Sequence, residues 1–228
     1  MSSFENIKPM RILLACECSG RIRRLLRDKG HDCWSVDLEP SEDGSPYHIQ
    51  GDMWGVINYG WDMLIAHPTC TYLTNSAEWC YNDVQTKKLD PNKLYGAARR
   101  AAREEAIAFV KRIWALPIEK IAIENPIGTL STRMCKPTQI IQPWMFGDDA
   151  SKATCLWLKG LPPLVPTNII APRITADGKK RWSNQTDSGQ NKLPPSADRW
   201  KERSRTYDGI ANAVADQWVL DLTATVTL

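Results

Sequence analysis

Met10 to Leu38 reads M-R-I-L-L-A-C-E-C-S-G-R-I-R-R-L-L-R-D-K-G-H-D-C-W-S-V-D-L. Met10 to Cys16 is an apolar run of the kind that forms a buried strand. Ser19 is placed to cap a helix with Ile22, Leu25 and Leu26 on one face and arginines on the other. Gly30 is the natural stop, and Cys33 to Leu38 is a second strand ending on Asp37. Strand, helix and strand make a βαβ unit, whose right-handed crossover builds a parallel sheet. An α/β, Rossmann-like fold follows. In such a fold the first strand-to-helix turn, here Glu17, Cys18, Ser19 and Gly20, meets the ligand. A single glycine falls short of the dinucleotide fingerprint. Asp37, about 20 residues on, is placed for a carboxylate that accepts from both ribose hydroxyls; a surface acid at a strand end would look the same.

Further along, Pro46 to Met53 leads to Gly51-Asp52, where a turn could bring the Asp52 carboxylate to an adenine amino group. Met63 to Ala66 is a short buried strand, stopped by His67-Pro68 because proline lacks an amide donor. Cys70 therefore falls just past a carboxyl strand end, the edge at which open parallel sheets gather ligands. It is either a nucleophile or a plain buried cysteine in a turn. Tyr72 to Asp90 reads as a polar, aromatic loop and a candidate lid. Leu94 to Leu116 is the strongest helix, with Ala98, Ala102, Ala106, Phe109, Val110 and Ile113 toward the sheet, Arg99, Arg100 and Arg103 outward, and Pro117 closing it. Glu119 to Asn125 is a strand that delivers Glu124 and Asn125 to the edge that holds Cys70, and Pro126 ends it. Gln139 to Phe146 and Thr154 to Lys159 have the spacing of an antiparallel hairpin on the C-terminal side. Residues 161–206 are irregular and basic, an arm suited to substrate contact. A closing helix runs from about Tyr207 to Leu222, with Ile210, Val214 and Trp218 on one face.

At 228 residues, with 43% hydrophobic and 24% charged, the chain fits a single globular domain over 1–228. No apolar run approaches the roughly 20 residues of a membrane helix, and the N-terminus lacks the pattern of a signal peptide. Seven scattered cysteines and three dispersed histidines fit a reduced, cytoplasmic protein without structural metal. Net charge is +3. Basic residues crowd Arg173 to Arg205, interleaved with Trp182 and Trp200, and a second patch spans Lys87 to Arg103. Cations mixed with aromatics suit a phosphate backbone with bases to stack on, and equally a solvated loop.

Taken in order, these motifs resemble the DNA cytosine C5-methyltransferases, and more closely the compact versions that phage genomes carry. A-C-E-C-S-G is similar to the cofactor loop, V-D-L (Asp37, Leu38) to the ribose acid, and Q-G-D-M (Asp52, Met53) to the adenine contact. H-P-T-C, with Pro68 and Cys70, is similar to the nucleophile loop usually written P-P-C or F-P-C. I-E-N-P is similar to the E-N-V motif and S-K-A-T to the basic strand that supports the base. I-A-N-A-V-A, with Asn212 and Ala213, is similar to the helix start that completes the cofactor pocket. The resemblance covers most of Met10 to Trp218. It implies an S-adenosylmethionine-dependent methyltransferase fold, S-adenosyl-L-methionine as cofactor and DNA as partner, either duplex with a flipped cytosine or single-stranded, in the host cytoplasm if the chain is phage-encoded. Thr69 departs from the proline before the cysteine, the cofactor turn lacks the family's other glycines, and the 161–206 arm is all there is of a target-recognition region, so short or relaxed specificity is expected.

In the chemistry this implies, a Cys70 thiolate adds to C6 of cytosine and makes C5 nucleophilic. Glu124, its pKa raised by burial in the occupied site, donates to N3 as charge builds there. Lys152, or alternatively Arg133, holds O2 and the thiolate. The base must leave its stack, and the loop after Cys70 closes over it. A C5-modifying enzyme of free pyrimidine nucleotides or with a modified donor, and a catalytically silent DNA-binding relative, are the alternatives.

Overall fold

The computed structural model describes residues 8–76, 78–84, 88–196 and 199–223. Lys87, at one end of the second basic patch, and the side chain of Trp200 lie outside the described residues.

A seven-stranded sheet organises the chain in the order β3-β2-β1-β4-β5-β7-β6. Strands β1 (Arg11–Ala15), β2 (Asp32–Asp37), β3 (His48–Gln50), β4 (Met63–Ala66) and β5 (Lys120–Pro126) are parallel neighbours. β7 (Thr154–Lys159) runs antiparallel to β5, and β6 (Gln139–Ile141) antiparallel to β7. The α/β class and the antiparallel pair on the C-terminal side are thus as the sequence implied. The first strand of that pair is shorter, because Pro143 opens a single 3₁₀ turn, Pro143–Met145.

Both sheet faces are covered, so the central strands are continuous apolar runs whose side chains alternate between two cores. Ile12, Leu14, Met63 and Ile65 face one way, with α1 (Arg21–Asp28) and, at the far end of the chain, a helix at Asp208–Gln217. Leu13, Ala15, Leu64 and Ala66 face the other, where α2 (Gly96–Trp114) contributes Ile107, Val110 and Ile113. A short helix α3 (Leu130–Arg133) follows β5. The 161–206 arm is less irregular than its composition suggested: it forms a two-stranded ribbon, β8 (Arg173–Ile174) with β9 (Lys180–Arg181), and a short helix α4 (Arg199–Ser204) before the closing helix α5 (Asp208–Gln217).

Three local expectations are corrected. Ser19 is not the cap of α1: Gly20 holds that position with φ 72°, and no side chain caps the helix. The arginines of α1 do not all face solvent, since Arg23 is fully buried, bonded to Asp43 at 2.6 and 2.7 Å and to the Ser35 hydroxyl. The arginines of α2 do not all face solvent either, although Arg100 stays exposed. Arg99 is only 6% exposed, and Arg99, Arg100 and Arg103 donate to the carbonyls of Thr71, Tyr81 and Tyr72. The three arginines thus clamp the loop after Cys70, with the Arg99 and Arg103 guanidinium groups against the Tyr72 and Tyr81 rings, while Lys88 and Lys93 of the patch remain exposed.

Candidate active site

Because β1 to β5 are parallel, their carboxyl ends share one edge of the sheet. β7 is reversed and pairs Thr154 with Pro126, so its first residues reach the same edge. Strand order turns back between β1 and β4, and the crevice outside such a reversal is where these sheets bind ligands. Two turns flank it: residues 16–20 after β1 and residues 67–70 after β4.

The turn after β1 is tightly built. Cys16 has φ 58°, the one positive φ at a non-glycine among the described residues, and its amide donates to the Val36 carbonyl at 2.8 Å. The buried Glu17 carboxylate accepts from the Gly20 amide at 2.9 Å and from the Ser19 hydroxyl, so both side chains brace the turn. A Cβ at Gly20 would stand 2.4 Å from the side-chain ends of Arg23 and Asp43, and φ there is +72°, so any other residue would be strained and would displace that ion pair. Burial and the Asp37 and Asp52 charges push the Cys16 thiol up to about 12, and burial with Asp37 pushes Cys18 to about 11. Both are therefore neutral thiols at physiological pH.

Asp37 ends β2 half-buried and accepts from the Glu39 amide at 2.9 Å; desolvation raises its carboxyl. Beside it, Leu38 is 74% exposed, an apolar side chain open to the edge. Asp52 is exposed and accepts from the Trp54 amide at 3.0 Å, capping the 3₁₀ turn Met53–Gly55. The Met53 side chain is in the core, so its backbone is what it offers a ligand. Asn212 is exposed in the second turn of α5, which begins at Asp208, and Ala213 is buried. The expectation that Asn212 opens this helix is corrected accordingly.

Across the crevice, Cys70 is exposed. Its carbonyl accepts from the Leu73 and Thr74 amides at 2.9 and 3.1 Å, which curls the chain just after it. Pro68 is buried, and its carbonyl accepts from Asn125 Nδ2 at 2.7 Å. Glu124 lies beside His67, Nδ1 to Oε2 at 3.4 Å. A small cavity of about 30 Å³ is lined by His67, Glu124, Lys152, Thr154 and Tyr207 on its polar side and by core residues such as Ile65 and Trp218.

The electrostatics distinguish the two groups. Desolvation and the Glu124 carboxylate raise the Cys70 thiol, against pulls from Lys152 and Arg203. Burial would raise Glu124, but the His67 bond, the charge of Lys152 and the Thr154 hydroxyl outweigh it and hold the carboxyl below its usual range. The raised Glu124 expected for an occupied site is thus replaced in this structure by a lowered one.

Sequence placed Cys70, Glu124 and Lys152 in one site, and the structure brings them to the same sheet edge. Arg133 is not brought in: its guanidinium bonds Glu104 of α2 at 2.7 and 2.9 Å. The second cation acting on Cys70 is instead Arg203 of α4, which nothing in the pattern singled out. Thr154 was also missed, although its i, i+2 spacing from Lys152 in an extended chain puts both on one face.

No protein-family model matches the chain, and no curated protein matches it.

Among the described residues no helix is long and apolar enough to cross a membrane, and no group of three or more His, Cys, Asp or Glu could hold a metal ion. The arm is anchored beside the site. Trp182 stacks on Trp144 at 5.3 Å and donates to the Ile170 carbonyl at 3.2 Å. Asn184 accepts from the Ser151 amide at 2.9 Å and donates to its carbonyl at 3.0 Å. Trp182 therefore pins the arm next to Lys152, and one of its faces is already occupied by Trp144.

Proposed function

We propose that this protein is an S-adenosylmethionine-dependent DNA cytosine C5-methyltransferase. What carries the proposal is the convergence of Cys70, Glu124 and Lys152, from the ends of β4 and β5 and the start of β7, beside a switch-point crevice. An acid and a cation line one small recess and an exposed nucleophile stands at the same sheet edge, the three groups that C5 chemistry on a pyrimidine needs.

The cofactor's demands fit the opposite wall. Asp37 at the end of β2 would accept from the ribose hydroxyls, exposed Leu38 would cover the adenine, and Asp52 follows the next strand. The turn over residues 16–20 keeps a glycine-like backbone at Cys16 although its side chain is not glycine. When bound, the sulfonium cofactor supplies an electrophilic methyl group.

The chain's own residues do the rest. Cys70 Sγ bonds to C6 as a thiolate, electron density moves through the ring, and the N3 that receives it takes a proton from Glu124. Lys152 and Arg203 favour the thiolate and the negative charge growing near O2. After C5 is alkylated, a base removes the C5 proton, the Cys70–C6 bond breaks, and N3 returns its proton. Resting Cys70 holds a proton it must lose, and resting Glu124 lacks one it must gain before it can donate. The compact arm, tied down by the Trp144–Trp182 stack, leaves few side chains to read base edges, consistent with short or relaxed specificity.

A cysteine hydrolase built on Cys70, His67 and Glu124 is disfavoured. His67 Nε2 is buried without a partner, whereas Cys70 is exposed, so the imidazole has no free nitrogen turned to solvent with the thiol.

The test is nucleoside mass spectrometry of DNA incubated with enzyme and S-adenosylmethionine, beside Cys70→Ser and Glu124→Gln and beside free deoxycytidine nucleotides. New 5-methylcytosine in DNA with wild type alone is expected. Unmodified DNA in every tube defeats the proposal, and methylated free nucleotide alone reassigns the substrate.

A further inference from the structure

The resemblance gives no role to His67, yet the fold places it with care. Its backbone amide donates to the Ala15 carbonyl at 2.9 Å, which fixes it between the ends of β1 and β4. Its Nδ1 lies 3.4 Å from Glu124 Oε2, and its Nε2 is buried without a hydrogen-bond partner among the described residues. A polar nitrogen left unpaired in a core is costly, and such groups call for a functional account. Lys152 and Thr154 from the start of β7 and Tyr207 from the approach to α5 line the cavity with this pair, and the Cys70 and Cys155 thiols feel the Glu124 charge. Of these, Lys152 and the Thr154 hydroxyl favour a charged Glu124, which is the form that cannot donate to N3.

We infer that His67 is a positioning residue that sets the charge of Glu124 through the Nδ1–Oε2 contact, handing it a proton as the pyrimidine is attacked and taking it back on release. The inference rests on the methyltransferase reading. The step balances: the Nδ1–H bond breaks as Oε2–H forms, imidazolium becomes imidazole and carboxylate becomes acid. The acid then loses that proton to N3, and elimination of Cys70 runs the sequence backward. The proton that exposed Cys70 sheds on attack goes to solvent and is taken back when the thiol leaves, so no acid is consumed over the cycle, and histidine is the side chain suited to exchange a proton near neutral pH.

The sign of the pH effect follows. A proton supply to Glu124 favours low pH and a Cys70 thiolate favours high pH, so the wild-type rate is expected to be bell-shaped. His67→Asn keeps an N–H donor near the Nδ1 position but cannot titrate. The assay is exchange of the cytosine C5 hydrogen with deuterated solvent, without cofactor, because the Cys70 adduct alone makes C5 open to protonation. Expected for His67→Asn is a descending limb moved to lower pH by about one unit, with a loss of roughly ten-fold or more near pH 8 and little loss near pH 5.5. A profile parallel to wild type, whether reduced throughout or unchanged, overturns the inference while leaving the methyltransferase reading intact. Absence of exchange in wild type, with Cys70→Ser identical, overturns both. A second variant guards against misfolding of the first: His67→Gln, which also cannot exchange a proton, is expected to move the descending limb in the same direction, and a limb left in place by both variants overturns the inference.

Discussion

Asn125 Nδ2 donates to the Pro68 carbonyl at 2.7 Å across a buried contact, joining the carboxyl end of β5 to the turn after β4. Glu124 precedes Asn125 in β5 and Cys70 follows Pro68 in that turn, so this bond ties the proposed acid to the proposed nucleophile beyond the end of the β4–β5 ladder. Asn125→Ala removes the donor and strands a buried carbonyl, at a cost of about 1–3 kcal/mol. Misplacing a nucleophile by about 1 Å costs on the order of 100-fold in rate. Denaturant unfolding is expected to show the stability loss, and single-turnover methyl transfer a fall larger than that loss alone explains. A variant that is destabilised but transfers at the wild-type rate would show that the bond is structural only.

The loop after Cys70 is held by α2. Arg103 Nε donates to the Tyr72 carbonyl at 2.9 Å, its guanidinium lies 3.4 Å from the centre of the Tyr81 ring, and it pairs with Glu78 at 2.7 Å. Arg103→Ala removes these contacts at once, with an expected cost of about 1–2 kcal/mol. The effect should be local. Hydrogen exchange of residues 71–76 accelerates, Cys70 reacts faster with a thiol reagent, and the exchange of β1 and β4 amides changes little. Unchanged Cys70 labelling would release the clamp from any role in gating the nucleophile.

What was legible in the sequence followed from backbone periodicity. The β1-α1-β2 unit, the strand before Cys70 and the long α2 all showed in apolar spacing, and strand ends marked by Asp37, Pro68 and Pro126 put Cys70 and Glu124 on one edge. Charged residues were misread wherever tertiary contacts set their direction. Arg23 and Arg99 occupy helix positions whose polar character implied solvent, yet both are buried, because each faces acceptors supplied by a distant loop: Asp43 for Arg23, the Thr71 carbonyl for Arg99. Arg133 failed for the same reason, its charge being taken up by Glu104 on α2. No local pattern encodes where a long cation ends.

Cys16 is the residue at which the crevice holds a left-handed backbone on a side chain that disfavours it. An L-residue there carries roughly 1–2 kcal/mol of strain. Cys16→Gly relieves the strain but loses a half-buried side chain packed on the α2-side core, so its stability is expected within about 1 kcal/mol of wild type. Cys16→Val adds a β-branch where φ is positive and should lose about 2 kcal/mol or more. Thermal unfolding of the two variants checks the order. A valine variant as stable as the glycine one would show that the turn relaxes to another conformation.

Asp43 compensates the fully buried Arg23 and also pairs with Arg24 at 2.7 Å. Partial burial raises its carboxyl, but the hydrogen bonds from Ser41, Arg23 and Arg24 outweigh it and hold the group well below the usual carboxylate range. A folded pKa below the unfolded one stabilises the protein above the unfolded value, about 4, and that contribution fades as pH falls through the folded value. Wild-type stability is therefore expected to decline below about pH 4 by a component that Asp43→Asn lacks. At neutral pH the same variant leaves Arg23 charged, buried and without its anion, which costs about 3–5 kcal/mol. The consequence reaches the crevice, because Asp43 and Arg23 are the atoms that a Gly20 Cβ would strike and so form the floor of the turn. Urea unfolding of the two proteins between about pH 3 and 7 tests this, with the stability gap narrowing as acid protonates Asp43. A gap independent of pH would mean that the pair stabilises the fold by packing rather than by charge.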